Sequence, residues 1–350
     1  MIILIITTGS KFILIKKIKN ISIASQYKWS LIRMDFKKDK TPILYMAPMA
    51  GVTDRAFRRL CLECGAKIVV TEMVSAKAVQ YGDKKSYELG KLFESDQPAI
   101  IQIFGSDPIA MAFAAKEMTA FNPIAIDINM GCPVPKVSGS GDGASLMKNP
   151  RLAGEIINAV VSAIDVPVTV KIRSGWDSKN INAVEIALIA EANGAAVVTV
   201  HGRTKVQGYE GYADRNVIKE VKQTLKIPVI ANGDIVDGAS AIDMLEKTDC
   251  DGLMVGRGAL GSPWVFTEIK AVLENKPYIP YSPGQKREMI LRQLDMMVID
   301  KGEQLALLEI RKHIAWYIKG IPNAASIRAS VFLTHTKEKL IEIIKNIDFL

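Results

Sequence analysis

The chain has 350 residues, with 49% hydrophobic and 23% charged side chains, which is the composition of a globular protein with a sizeable core and excludes a disordered or fibrous one. Four cysteines (Cys61, Cys64, Cys132, Cys250) are too few for a disulfide framework, and the opening run MIILII falls far short of the roughly 20 apolar residues that span a bilayer, so a cytoplasmic protein with no membrane partner is expected. The net charge of +8 is uneven: residues 1–41 hold nine Lys or Arg against two Asp, residues 42–282 hold 25 against 27 acidic, and residues 283–350 hold 11 against eight.

Residues 1–33 contain no acidic residue and no turn-bounded pattern, and Met34 follows directly. Segment 1–41 is expected to be an N-terminal extension, through a misread start, a basic tail or a membrane-surface contact. A pI near 9.1 that rests on this segment is weak support for nucleic-acid binding.

From Ile43 onward, short β-branched apolar runs alternate with longer stretches of helical periodicity, the pattern of βα units around a parallel sheet. The runs are ILYMA at 43, IVVT at 68, AIIQIF at 99, AIDIN at 125, VTVKI at 168, VVTVH at 197, VIAN at 229 and GLMVG at 252. Helices between them are marked by their ends, with Asn149 as an N-cap before Pro150 and Asn193–Gly194 as a stop. Eight such units predict an α/β fold, a closed (β/α)8 TIM barrel over residues 42–282. The loop GSGDGA at 139–144 fits the loose spelling of a dinucleotide fingerprint but does not follow its strand immediately, so it lacks the strand-turn-helix context that motif needs.

In such barrels the chemistry sits at the carboxyl ends of the strands. Here those ends carry Pro48 and Met49, Glu72, Gln102, Asn129 with Cys132, Lys171 with Arg173, His201 with Arg203, Asn232 with Asp234, and Gly256 with Arg257. A lysine inside VTVKIRSGW is costly unless something anionic faces it; the structural alternative is a pairing with Glu72 or Asp127. The last two loops, ANGD (Asn232, Gly233, Asp234) and VGRGALGSPW, place glycines and Arg257 where barrels commonly hold a phosphate, with Gly256, Gly258 and Gly261 letting backbone N–H groups approach. Flavin mononucleotide (FMN) fits this outline. Pro48, Met49, Ala50 and Gly51 would lie along its ring, Gln102 would read the pyrimidine edge, and Lys171 would sit near N1 and the C2 carbonyl, with His201 a ligand of flavin or substrate.

Cys132 stands in a loop rich in Gly and Pro, where a thiol meant to meet a ligand is a better account than a small buried hydrophobe. The CLEC at Cys61 and Cys64 is a lone C-x-x-C without a second pair, Cys250 reads as packing, and no metal is assigned. After the linker PYIPYSPGQ, residues 283–350 read as a small all-helical domain. Within it Arg311, Lys312 and Lys319 accompany Trp316 and Tyr317, a mix compatible with an RNA backbone or with a solvated face over a core, whereas His313 and His335 read as structural.

APMAGVTDRAFRRL, NMGCPVPKV, VKIRSGW, HGRT, IPVIANGDI and GLMVGRGALGSPWVF, in this order, resemble the tRNA-dihydrouridine synthases, most closely the bacterial B-type, from about Ile43 to the C-terminus. The resemblance implies an FMN-dependent oxidoreductase. It would draw on NADPH (or NADH) and reduce the C5–C6 double bond of a D-loop uridine in tRNA, with position 17 favoured. Hydride would pass from flavin N5 to C6 and a proton from Cys132 to C5. Asn129, Arg173, Arg203, Lys136, Arg311 and Lys312 would meet the tRNA, gripped by the helical domain, and the protein would act as a monomer. The alternatives are another FMN barrel acting on a small molecule, dihydroorotate dehydrogenase-like or ene-reductase-like, and a non-catalytic RNA-binding protein.

Overall fold

Successive residues of a strand face opposite sides, so in a closed barrel every second position looks inward. The computed structural model of the chain describes residues 42–349, together with Thr7–Thr8 and Lys11–Phe12, which form a small antiparallel pair. The rest of the basic segment 1–41, expected to be an extension, lies outside the described residues.

The eight predicted runs are the eight strands of one parallel ring: β1 (Ile43–Met46), β2 (Ile68–Val70), β3 (Ala99–Phe104), β4 (Ala125–Met130), β5 (Val168–Arg173), β6 (Val197–His201), β7 (Val229–Asn232) and β8 (Gly252–Val255). Each pairs with its sequence neighbours, and β8 closes onto β1 through Leu253 opposite Leu44 and Met254 opposite Tyr45. Strand β2 breaks at Thr71–Met73 and resumes as Val74–Ser75 beside β3. That break frees Glu72 from the ladder.

The inward parity runs through Ile43 and Tyr45, Ile68 and Val70, Ile100, Ala125, Val197, Ile230 and Met254, which form one apolar cluster. The outward parity, Leu44, Met46, Ile101, Ile126, Ile128, Val170, Val198 and Leu253, belongs to a larger cluster under the helices. Moving toward the carboxyl ends, the inward positions turn polar: Gln102 on β3, Asp127 and Asn129 on β4, Thr169, Lys171 and Arg173 on β5, His201 on β6 and Asn232 on β7. The fold thus concentrates its buried polarity in one layer beneath the barrel mouth.

Helices α1 (Arg55–Glu63), α2 (Ala76–Gln80), α3 (Lys84–Gly90), α4 (Pro108–Met118), α5 (Pro135–Ser138), α6 (Pro150–Ala163), α7 (Ala183–Ala192), α8 (Arg215–Thr224), α9 (Gly238–Thr248) and α10 (Val265–Leu273) fill the connections. Asn149 caps α6 by accepting the Leu152 N–H, with Pro150 in the first turn, as its spelling predicts.

Four further helices follow: α11 (Pro283–Lys301), α12 (Glu303–Tyr317), α13 (Ala324–Leu333) and α14 (Lys337–Lys345). Their core of Ile290, Leu294, Met297, Ile310, Ile314, Leu340 and Ile344 includes Ala56 of α1, so the helical region and the barrel share apolar contact. Ion pairs Asp54–Lys301 (2.7 Å) and Arg55–Asp300 (2.6 Å) flank that contact. Partly exposed pairs of this kind contribute about 0–1 kcal/mol each, so the apolar seam dominates the docking. Tyr317, expected at an RNA face, is instead buried with its hydroxyl donating to Gln293 Oε1 (2.9 Å), because its helical position falls on the core stripe.

Gly261, in the loop after β8, lies against the backbone of α12. A Cβ there would stand 2.3 Å from the Trp316 carbonyl carbon, and the residue has φ +67°. Because backbone cannot swing aside, we expect Gly261→Ala to lower stability by at least about 2 kcal/mol, read from the urea unfolding midpoint. An unchanged midpoint would show that this docking is dispensable.

Candidate active site

A cation inside a barrel needs a partner, and the structure gives the half-buried Lys171 an unusual one. Its ammonium donates to Asn232 Oδ1 (2.9 Å), and Asn232 in turn donates to the Met254 carbonyl (2.7 Å). Among the described residues Lys171 forms no ion pair with a carboxylate, so the structural alternative of a pairing with Glu72 or Asp127 does not hold. Burial, and then the charge of Arg173, push the ammonium down to about 8, against the pull of Asp127 and Cys132. It remains charged at neutral pH.

His201 is buried beside it, with Nε2 3.5 Å from Arg203 Nη1. Burial, followed by the charges of Lys171, Arg173, Arg203 and Arg257, holds the imidazole far below its ordinary range. The ring is therefore a neutral hydrogen-bonding group rather than a proton shuttle.

Cys132 sits where β4 leaves the barrel, half-buried, while Cys61, Cys64 and Cys250 are buried. Its N–H donates to Asn129 Oδ1 (2.9 Å) and its carbonyl accepts from the Ala144 N–H (3.1 Å). Gly143, with φ +58°, comes so close that a Cβ would lie 3.1 Å from the cysteine's own Cβ. The glycine spacing of the 139–144 loop therefore serves to close that loop over Cys132, not to bind a dinucleotide. Burial raises the thiol above its ordinary value, opposed by the Val134 N–H and by Arg173 and Lys171, whose charges reach it.

Asn129 also donates to Gln102 Oε1 (2.7 Å), and Gln102 donates to Asp127 Oδ2 (2.7 Å). Each Gln102 amide atom keeps one further hydrogen-bonding capacity for a ring edge. In the loop after β1, the Gly51 N–H donates to Glu72 Oε2 (2.5 Å), which braces Pro48, Met49, Ala50 and Gly51 along the rim. Lys312 of α12 reaches the same place, its Nζ 3.8 Å from where a Gly51 Cβ would stand. The charge of Lys312 is also felt at Glu72, which connects the helical region to the mouth.

Several expected contacts are corrected. Arg203 is buried, with Nη2 donating to both Asp234 oxygens (2.6 and 2.8 Å) and to the Gly211 carbonyl (2.6 Å), and Nε donating to the Glu210 carbonyl (3.1 Å). It therefore cannot meet an RNA phosphate. Asp234, also bonded by the Ala213 N–H (2.7 Å), organises that loop rather than a cofactor. Arg173 holds the carbonyls of Gly131, Thr204 and Gly208 at 2.7–2.9 Å through Nε and Nη1, so its guanidinium ties loops together. Arg311 donates to the Thr334 carbonyl (2.8 Å) and belongs to the packing of the helical region. Lys136 stands exposed on α5, apart from the cluster around Lys171.

The phosphate cradle is also narrower than its spelling. A Cβ on Gly258 would lie 2.3 Å from the Ile235 carbonyl, so that glycine, like Gly261, answers to packing. At Gly256 a Cβ would meet nothing closer than 3.5 Å, and Arg257 beside it is 47% exposed, 3.7 Å from Asp234 and 4.6 Å from the Tyr209 ring. Gly233 packs on His201, where a Cβ would come within 3.1 Å of the ring. Gly256, Arg257, Lys171 and Gln102 fit an anionic, flat, hydrogen-bonding group, and the charge of Lys171 without a carboxylate is the observation that favours one. Sequence reasoning raised Asp127 only as a possible partner of Lys171 and missed Thr169, although both lie two residues before a named site residue on the same strand.

A model of the family described as dihydrouridine synthase matches residues 45–349. A probable tRNA-dihydrouridine synthase of Rickettsia conorii is 41% identical over 305 residues, covering 85% of this chain and 92% of that protein. The tRNA-dihydrouridine synthase B of Pseudomonas aeruginosa is 42% identical over 288 residues, 82% of this chain and 86% of that one. Among solved structures, histamine dehydrogenase from Rhizobium sp. 4-9 superposes with a TM-score of 0.53 at 13% identity, over 77% of this chain and 51% of that one, a likeness of fold alone.

Because burial raises the Cys132 thiol, its alkylation by iodoacetamide is expected to show a pH midpoint above the ordinary thiol value of about 8.5. A midpoint below neutrality would mean a thiolate nucleophile instead of a proton donor.

Proposed function

The chain belongs to the dihydrouridine synthase family, whose members are flavin-dependent oxidoreductases, and on that premise we propose that it reduces the C5–C6 double bond of a D-loop uridine in tRNA. We assign FMN as its flavin, NADPH as its reductant, the cytoplasm as its compartment and a monomer as its working form. Among the described residues no helix is long and apolar enough to cross a membrane. None of them forms a group of three or more His, Cys, Asp or Glu suited to a metal.

The observation that carries the reading is the half-buried Cys132 thiol where β4 ends, raised by burial and within electrostatic reach of Lys171, whose ammonium bonds an amide and forms no ion pair with a carboxylate among the described residues. When bound, the flavin supplies the hydride that adds to the uracil ring. Lys171, Gln102 and the rim 48–51 hold its ring system, and Gly256 with Arg257 holds its phosphate. Cys132 Sγ holds the proton destined for C5, and a thiol raised by burial keeps that proton at neutral pH until a developing enolate takes it. His201, neutral and buried, offers a hydrogen bond to the uracil without competing for the proton. Lys312 at the rim, in a C-terminal region where basic residues outnumber acidic ones, supports tRNA lying across the seam between barrel and helices.

Cys132→Ala is expected to cut the rate of dihydrouridine formation by about 10²–10⁴-fold while the protein still binds tRNA and NADPH still reduces its flavin. As the proton comes from the thiol, activity is full below the thiol's raised value and is lost as pH rises through it. Efficient reduction of a small-molecule alkene with no dihydrouridine in any tRNA would favour a different flavin enzyme.

A further inference from the structure

Five hydrogen bonds form one chain through the polar layer, forked at its Asn129 end. Thr169 Oγ1 donates to Asp127 Oδ1 (2.5 Å), Gln102 Nε2 donates to Asp127 Oδ2 (2.7 Å), and Asn129 Nδ2 donates to Gln102 Oε1 (2.7 Å). Asn129 Oδ1 then accepts the N–H groups of Gly131 (3.1 Å) and Cys132 (2.9 Å). Asp127, Gln102 and Asn129 are 5%, 1% and 7% exposed, so water cannot repair a wrong pairing.

The two amides in the middle are nearly symmetric in shape, and their partners alone decide which way each points. Backbone N–H groups can only donate, so Asn129 must turn its oxygen toward Gly131 and Cys132. Its NH₂ then faces Gln102, which must turn its own oxygen to receive it. The Gln102 NH₂ then faces Asp127, where only an acceptor fits. Both ends of the chain therefore demand the same polarity.

We infer that Asp127 is a positioning residue, one that locks the polarity of the Gln102–Asn129 chain and thereby fixes the backbone that aims the Cys132 thiol. It touches neither substrate nor cofactor. The Ala144 N–H on the Cys132 carbonyl and Gly143 against its Cβ hold the other side, so the direction of the thiol is inherited from a backbone gripped at both ends. The role in turnover rests on the proposed uridine reduction; the grip on the thiol does not.

The test compares Asp127→Ala with Asp127→Asn. An amide at 127 can still offer its oxygen to Gln102 while the Thr169 hydroxyl turns to accept its NH₂, so Asp127→Asn should stay within about tenfold of the parent rate; Asp127→Ala, lacking any acceptor, should fall about 10²-fold in kcat with the KM for tRNA unchanged. Iodoacetamide should label Cys132 several-fold faster in Asp127→Ala, whose loop is loosened, and at the parent rate in Asp127→Asn. If Asp127→Ala does not fold, Asp127→Asn combined with Thr169→Val serves in its place. Without the hydroxyl, the new NH₂ loses its acceptor and can gain one only by turning toward Gln102 against the polarity that the Gly131 and Cys132 N–H groups impose, so the double variant should lose activity where Asp127→Asn does not. Equal damage from Asn and Ala would mean that the charge of Asp127 matters and not its polarity lock, and parent-like alkylation and turnover in Asp127→Ala would overturn the inference outright. Should the parent protein itself form no dihydrouridine, the proposed function fails, and the alkylation rates still decide this point.

Discussion

Closing eight parallel strands into a ring forces every second side chain into one shared interior, and the rest of this molecule follows from that constraint. Seven of the strands contribute apolar groups to the floor of that interior. Two residues further along, the same parity on β3, β4, β5 and β7 delivers Gln102, Asp127 with Asn129, Lys171 and Asn232. No loop is needed to gather these groups; the pleat does so. Loops are needed only for Cys132, whose backbone leaves β4 and is held by Asn129 from below and by Gly143 and Ala144 from the side.

The electrostatics of the layer follow from how its charges are matched. Arg203 is neutralised by Asp234, and Arg173 is surrounded by carbonyls, so both cations are committed to shaping the rim. Lys171 has only an amide. The mouth therefore carries a positive charge with no ion-pair partner among the described residues, where, in the proposed reaction, it would stabilise negative charge on a bound ring more than it would in water. The same field, with burial, keeps His201 neutral and, in the proposed reaction, leaves proton donation to the thiol.

All eight strands and the cap of α6 were legible in the sequence, because β-branched runs, N-cap residues and Pro at the first helical turn act locally. That Lys171, His201, Asn129 and Asn232 stand toward strand ends, with Cys132 just past one, was legible as well, since a polar residue there announces itself. What could not be read was the destination of the arginines. Arg173, Arg203 and Arg311 look like phosphate ligands by type, yet their partners are carbonyls or a carboxylate in separate loops that only the folded chain brings near. Gly258 and Gly261 mislead in the same way, since backbone packing and phosphate approach demand the same residue. Asp127 was read only as a possible partner of Lys171, for a different reason: its hydrogen bonds run through two amides, and nothing local in AIDIN shows which way those amides turn.

The most direct test of this account is the mass of the D-arm nucleosides in an unmodified tRNA transcript after incubation with the purified, flavin-loaded protein and NADPH. The account predicts that one uridine gains the mass of two hydrogens. A transcript whose uridines are all unchanged, although NADPH reduces the bound flavin, would contradict it.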